Sequence, residues 1–213
     1  MREATVLREK IGRDAPAVGC FGDAAPLSVN WDNPRVGSKE TAAAALHEAV
    51  RDFFGCDEGS LPEVQIVDIE PHEAGAIFDS LLALANPLRP GQTVWDLDRD
   101  MDAPITACKD QGRLAAEGTL SALHVVLSGV RWKRGPLPDL GVSVWPGTIT
   151  FDYRAGPDWP ADVVARFVDM LFTLRDATGR GGLVLANEPS TPLSEEDQVR
   201  FRRAVDRFRD ALA

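Results

Sequence analysis

The strongest constraint on the fold comes from residues 119–154, where strand-like segments follow one another through short connections. Residues 142–145 and 148–153 alternate in polarity, and the Pro-Gly pair between them is a turn signal. Residues 119–132 are apolar at both sets of alternate positions, which is typical of a central strand covered on both faces. Since short connections join antiparallel strands, the sequence predicts an antiparallel or mixed sheet around a central meander over about 119–154.

Four further segments carry apolar residues at helical spacing and are predicted to cover this sheet. Residue types that favour helix starts stand at the beginning of each: Ser38, Pro71, Pro160 and Ser194. Additional strands are predicted over 64–69 and 183–186. The predicted fold class is therefore α+β, a sheet covered by about four α-helices.

The length and the distribution of Pro and Gly indicate how the chain is organised. With 213 residues and 44% hydrophobic content, the chain is long enough to bury one substantial core. Residues 1–36 are interrupted by Pro and Gly and predict an irregular N-terminal arm packed on the main domain. Residues 37–213 predict a single α+β domain.

The charge of the chain limits its partners. A net charge of −10 argues against nucleic acid, because affinity for phosphate comes from Lys and Arg, and it favours a basic protein partner. No apolar run approaches about 18 residues and the segment after Met1 is not an apolar leader, so we expect a cytoplasmic protein with no membrane partner. Cys20, Cys56 and Cys108 are too widely spaced for a zinc ribbon and predict reduced thiols. The oligomeric state is left open.

An acidic segment follows Trp95. Aspartates occupy every second position: Asp96, Asp98, Asp100 and Asp102. In an extended strand these carboxylates would line one edge, where repulsion requires solvent, a cation or a basic partner. A calcium-binding EF-hand is excluded because Met101 and Ala107 stand where that loop requires Gly and Glu. An exposed edge or loop is favoured, and a looser metal site on Asp96 and Asp98 is left open.

No histidine completes a catalytic motif. His47 is followed by Glu48 but position 51 is Arg, so the HExxH zinc motif is incomplete, and His72 is predicted to lie on the surface. His124 falls within the predicted central strand and is expected to be a hydrogen-bonded core residue, with a catalytic role as the alternative. Since no nucleophile elbow or phosphate-binding loop is present either, the sequence predicts no catalytic residue and no cofactor.

Three tryptophans stand beside aspartate: Trp31, Trp95 and Trp159. Tryptophan is a favoured anchor of protein interfaces, and neighbouring carboxylates select a basic partner, although packing within the fold is the alternative for each. The favoured hypothesis is therefore a non-catalytic acidic protein-binding protein. It would be of the inhibitor or immunity (toxin-neutralising) type, with Asp98 and Asp100 meeting Lys or Arg while Trp95 fills a pocket.

Two other functions are left open by the same residues. A Mg²⁺-dependent phosphoester hydrolase or transferase would hold its metal on carboxylates of the segment 96–102. A structural subunit of a larger assembly would use the tryptophans as interface anchors and would differ from an inhibitor in its stoichiometry.

Overall fold

A computed structural model describes most of the chain from residue 36 onward. The described ranges are 36–55, 61–105, 110–133, 135–187 and 191–212. These residues form one compact unit. The predicted arm over 1–36 lies outside them except for Val36, and so does Trp31, so the domain boundary stays a prediction.

The described residues contain five helices and ten strands. The helices are α1 (Val36–Phe54), α2 (Pro71–Leu84), α3 (Gln111–Ala116), α4 (Ala161–Asp176) and α5 (Glu195–Leu212). The strands are β1 (Pro62–Val67), β2 (Thr93–Asp96), β3 (Met101–Pro104), β4 (Leu123–Leu127), β5 (Arg131–Trp132), β6 (Gly135–Pro136), β7 (Leu140–Trp145), β8 (Thr148–Tyr153), β9 (Gly182–Asn187) and β10 (Thr191–Pro192). None of the described helices is long and apolar enough to cross a membrane.

The main sheet has the strand order β10-β9-β1-β8-β7-β4, and every neighbouring pair is antiparallel. Strands β2 and β3 form a separate hairpin, as do β5 and β6. The predicted α+β class is therefore confirmed, and the sheet is antiparallel rather than mixed. The β7–β8 turn at the Pro-Gly pair is the centre of the predicted meander.

The predicted central strand over 119–132 is wrong. Strand β4 covers only Leu123–Leu127, and it is the last strand at one edge of the sheet. Burial alternates along β4: His124 and Val126 are exposed. The other three residues face the core and are buried: Leu123, Val125 and Leu127. An apolar residue on a strand is not necessarily covered, and Val126 is half exposed.

One face of the sheet carries the apolar core. Cross-strand rows of large side chains lie there, such as Val125, Val142, Phe151 and Val64. Phe167 of α4 packs edge-on against Phe151 and Tyr153, which places α4 over this face. The opposite face carries polar residues in the intervening rows, and it is on this face that His124 lies.

The helix starts follow local signals. Pro71 opens α2 behind a capping box formed by Glu70 and Glu73, and the backbone N–H of Asp197 donates to Ser194 Oγ at 3.1 Å before α5. Pro160 precedes α4 as its N-cap residue. These three predicted boundaries are confirmed, whereas the predicted start at Ser38 is wrong, because α1 already includes this residue.

The short helix α3 was not predicted. It packs against α2 at two glycines, where backbones approach closely. A Cβ on Gly112 would lie 2.7 Å from Phe78 Cβ, and one on Gly75 would lie 3.0 Å from Arg113 Cβ. The close approach of α2 and α3 therefore depends on both glycines.

Candidate functional site

The acidic segment is a hairpin rather than one extended strand. Asp96 ends β2, residues 97–100 form the turn, and β3 begins at Met101. Trp95 pairs with Asp102 across the hairpin, and Asp96 pairs with Met101. Because the chain reverses within the segment, the four carboxylates do not line a single edge.

Asp96 shapes the turn and is almost fully buried, with 6% of the residue exposed. Its Oδ1 accepts hydrogen bonds from the backbone N–H groups of Asp98 at 3.1 Å and Arg99 at 3.0 Å. Its Oδ2 accepts from Arg99 Nη1 at 3.0 Å. This is the turn-forming role of Asp, in which the side chain satisfies the backbone that follows it. Asp96 is therefore withdrawn from the candidate partner-binding residues.

The same contacts leave the metal alternative without support. Both carboxylate oxygens of Asp96 accept hydrogen bonds from protein donors, which compete with a metal ion for the same oxygens. Within the described ranges, no group of three or more His, Cys, Asp or Glu side chains is arranged to hold a metal ion.

Backbone hydrogen bonds fix the hairpin to the segment that precedes β4. The N–H of Ser121 donates to the carbonyl of Trp95 at 2.8 Å, and the N–H of Leu97 donates to the carbonyl of Thr119 at 3.1 Å. The N–H of Trp95 donates in turn to Ser121 Oγ at 3.3 Å. The hairpin is thus held in one orientation on the domain.

The hairpin presents an unusual combination of side chains to solvent. Three large apolar side chains are exposed by 41–53%: Trp95, Leu97 and Met101. Three carboxylates beside them are exposed as well: Asp98, Asp100 and Asp102. Trp95, Leu97 and Met101 are half of the six exposed large hydrophobic residues found in the described part of the chain. The hairpin surface is the name used below for the three apolar residues and the three carboxylates of the hairpin: Trp95, Leu97, Asp98, Asp100, Met101 and Asp102.

Trp159 lies in the core and not on the surface, with 2% of the residue exposed. Its Nε1 donates to the carbonyl of Arg154 at 2.8 Å, and its ring packs against those of Phe54, Tyr153 and Phe167 at centroid distances of 4.8–5.2 Å. Trp159 therefore packs within the fold, which was the alternative to an interface role, and it is withdrawn from the candidate partner-binding residues.

His124 is not the core histidine that the sequence predicted, because β4 is an edge strand and the side chain is 52% exposed. Its Nε2 lies 3.1 Å from Asp152 Oδ2, although β7 separates the two strands. Asp152 crosses over Gly141 of β7, where a Cβ would come within 2.1 Å of both carboxylate oxygens. The hydrogen bond to Asp152 raises the pKa of His124 above its usual value, and the charges of Asp152 and Glu63 add to this effect.

This pair does not complete a catalytic triad. Ser143 is the cross-strand neighbour of His124. Among the described residues no hydroxyl is hydrogen-bonded to the imidazole, so a nucleophile activated by a general base is missing. The His124–Asp152 pair is a hydrogen bond across the polar face of the sheet, and it is an ion pair when His124 is protonated.

Substituting Gly141 by Ala is expected to lower the pKa of His124 toward its ordinary value of about 6.5, since the new Cβ displaces Asp152. A raised folded-state pKa stabilises the protein below about pH 6.5, and this contribution is lost as the pH rises through the folded-state value. The variant loses this pH-dependent contribution. NMR titration of the imidazole signals measures the pKa, with the unmodified chain as the reference. An unchanged His124 titration would show that Asp152 does not hold the ring.

The chain was compared with protein-family models, with curated protein sequences and with solved structures. None of the three comparisons found a match.

Proposed function

We propose that this chain is a non-catalytic protein-binding protein whose hairpin surface occludes a basic surface of a partner protein, as an inhibitor or immunity protein does. The observation that supports the proposal is the concentration of three exposed apolar side chains and three exposed carboxylates on one fixed hairpin. Isolated exposed apolar residues are ordinary on protein surfaces, whereas a group ringed by charge is typical of an interaction site.

Trp95 is the proposed anchor. Since 41% of this residue is exposed, its burial in a partner removes on the order of 100 Å² from water, worth roughly 2–3 kcal/mol. Leu97 in the turn extends the apolar contact, whereas Met101 pairs with Asp96 and lies on the opposite face of the hairpin from Trp95. The backbone hydrogen bonds between the hairpin and the segment 119–121 order it before binding, which reduces the entropy lost on association.

The carboxylates select the partner. Four aspartates and one arginine between Trp95 and Asp102 give this segment a local charge of −3, in a chain whose net charge is −10. Arg99 pairs with the buried Asp96 but its side chain is 73% exposed, so a partner meets three carboxylates, those of Asp98, Asp100 and Asp102, together with one guanidinium. Complementary charge speeds encounter and excludes acidic partners, and its effect weakens with salt.

The test begins with affinity capture of a partner, followed by measurement of its dissociation constant with purified variants. We expect Trp95→Ala and Asp98→Lys each to weaken binding at least tenfold, and the salt dependence to decrease in Asp98→Lys. Matched controls are Trp145→Ala, which removes an exposed tryptophan elsewhere, and Asp210→Lys, which makes the same charge change on α5. Both are expected to stay within about twofold of the unmodified chain.

Two results would contradict the proposal. One is a captured partner whose affinity changes as much in the control variants as in the hairpin variants. The other is an acidic partner whose binding strengthens in Asp98→Lys. Light scattering of the complex distinguishes an inhibitor from a structural subunit of a larger assembly. An inhibitor forms a complex of fixed size with its partner, whereas a structural subunit continues to assemble.

A further inference from the structure

A groove opens beside the edge strand β4. The backbone N–H of Asn86 donates to the carbonyl of Ser128 at 2.9 Å, and that of Ser121 donates to the carbonyl of Trp95 at 2.8 Å. Between these two contacts, no backbone hydrogen bond joins the described residues 87–94 to β4. The groove between the segment 87–94 and β4 has a volume of about 340 Å³, within the range of small-ligand sites.

Five of the seven residues that line the groove are polar, although apolar atoms contribute most of its surface. Arg89, Gln92 and Thr93 line it from the segment 87–94, and His124 and Ser128 line it from the strand side. Val126 contributes an exposed apolar side chain, whereas the side chain of Val125 is buried on the core face. None of these lining residues is acidic, although the chain contains 33 Asp and Glu. The groove therefore combines hydrogen-bond donors with positive charge in an otherwise acidic protein.

Arg89 is the main charged group of this groove. It is exposed, and among the described residues no carboxylate forms an ion pair with it. A guanidinium presents parallel N–H donors that match the two oxygens of a carboxylate or phosphate. The hydroxyls of Thr93 and Ser128 and the amide of Gln92 are further donors to such an oxyanion.

We propose that this groove binds a small ligand through a carboxylate or phosphate group, with Arg89 as its principal anchor and Val126 against the apolar part of the ligand. This site lies outside the hairpin surface and does not depend on the proposed protein-binding function. Protonation of His124 neutralises the negative charge of Asp152, with which it pairs at 3.1 Å beside the groove, and so favours an anion there. The charged groups around its ring are Asp152 and Glu63 across the sheet and Arg89 across the groove.

Three probes test the site by NMR titration of the full chain: N-acetylglycine, inorganic phosphate, and N-acetylglycinamide, which lacks the carboxylate. We expect at least one of the two anions to bind with millimolar or tighter affinity, to shift the backbone signals of residues 92–93 and 124–128, and to outcompete the neutral amide. Preference for N-acetylglycine identifies a carboxylate ligand, and preference for phosphate identifies a phosphorylated one.

Variants decide whether the groove is the site. Arg89→Gln is expected to weaken anion binding at least tenfold, whereas Arg207→Gln, an equal charge change on α5, leaves it within about twofold. Binding of N-acetylglycine, whose carboxylate stays ionised over this range, is expected to be tighter at pH 6 than at pH 8, and His124→Gln abolishes this difference. The proposal is overturned if neither anion binds below about 10 mM, if the neutral amide binds equally well, or if Arg89→Gln and Arg207→Gln behave alike.

Discussion

Substituting Trp159 by Ala is expected to lower the free energy of unfolding by about 3–5 kcal/mol. The indole is 2% exposed and is packed against three aromatic rings, so its removal leaves a large cavity. It also leaves the carbonyl of Arg154 without the hydrogen bond that Nε1 donates. Equilibrium unfolding in urea measures the change, provided that the slope of the transition is unaltered.

The same substitution at Trp95 is the control. Because Trp95 is exposed on the hairpin, Trp95→Ala is expected to change the free energy of unfolding by no more than about 1 kcal/mol. The difference between the two losses in free energy of unfolding therefore distinguishes a tryptophan in the core from one on the surface. A loss at Trp159 as small as the one expected at Trp95 would mean that Trp159 does not lie in the core.

Gly112→Ala is expected to destabilise the protein by about 1–3 kcal/mol. Intrinsic helix propensity predicts the opposite sign, since Ala is favoured over Gly within a helix by about 1 kcal/mol. The steric effect is larger because the new Cβ would lie 2.7 Å from Phe78 Cβ and 3.1 Å from its Cγ. Phe78 is fully buried, so α2 and α3 must separate to accept the methyl group.

Gly182→Ala is the matched control for this close approach. A Cβ at that position meets only Val67 Cγ2, at an ordinary distance of 3.4 Å. We expect its free energy of unfolding to change by less than about 1 kcal/mol, measured in the same urea experiment. Net stabilisation by Gly112→Ala would show that α2 and α3 are not packed as closely as the structure has them.

The parts of the fold that the sequence predicted correctly are those that local chemistry decides. Pro71 and Ser194 mark helix starts because a missing N–H or a side-chain acceptor acts within one turn of the residue itself. The turn between β7 and β8 follows from its Pro-Gly pair in the same way. Such signals operate over a few residues and do not depend on the rest of the chain.

The position of β4 at the sheet edge was not predictable in this way. Strand order is set by pairing between segments far apart in sequence, and the apolar character of Val126 carries no information about which strand covers it. The helix α3 was missed for a related reason. It has six residues and includes Gly112, so its formation depends on packing against α2 rather than on propensity.

The candidate site shows the same limit. Trp95 and Trp159 both stand beside aspartate, yet one is exposed and the other is buried against rings from distant elements. In the acidic segment, alternation predicted a single row of carboxylates if the chain were extended. The tendency of Asp96 to accept the backbone N–H groups that follow it favours a turn instead, and this signal was present in the sequence.

One residue of the hairpin, Asp96, forms the turn through its side chain, whereas the side chain of Asp98 is exposed and, among the described residues, forms no contact that holds the turn. Asp96 holds the loop by its own contacts, so Asp98 can be exchanged for almost any side chain without altering the backbone. Asp100 is more restricted, because its φ of 54° favours Asp, Asn or Gly. Related chains are therefore expected to retain Asp96 while Asp98 varies, because the turn depends on the side chain of Asp96 and not on that of Asp98.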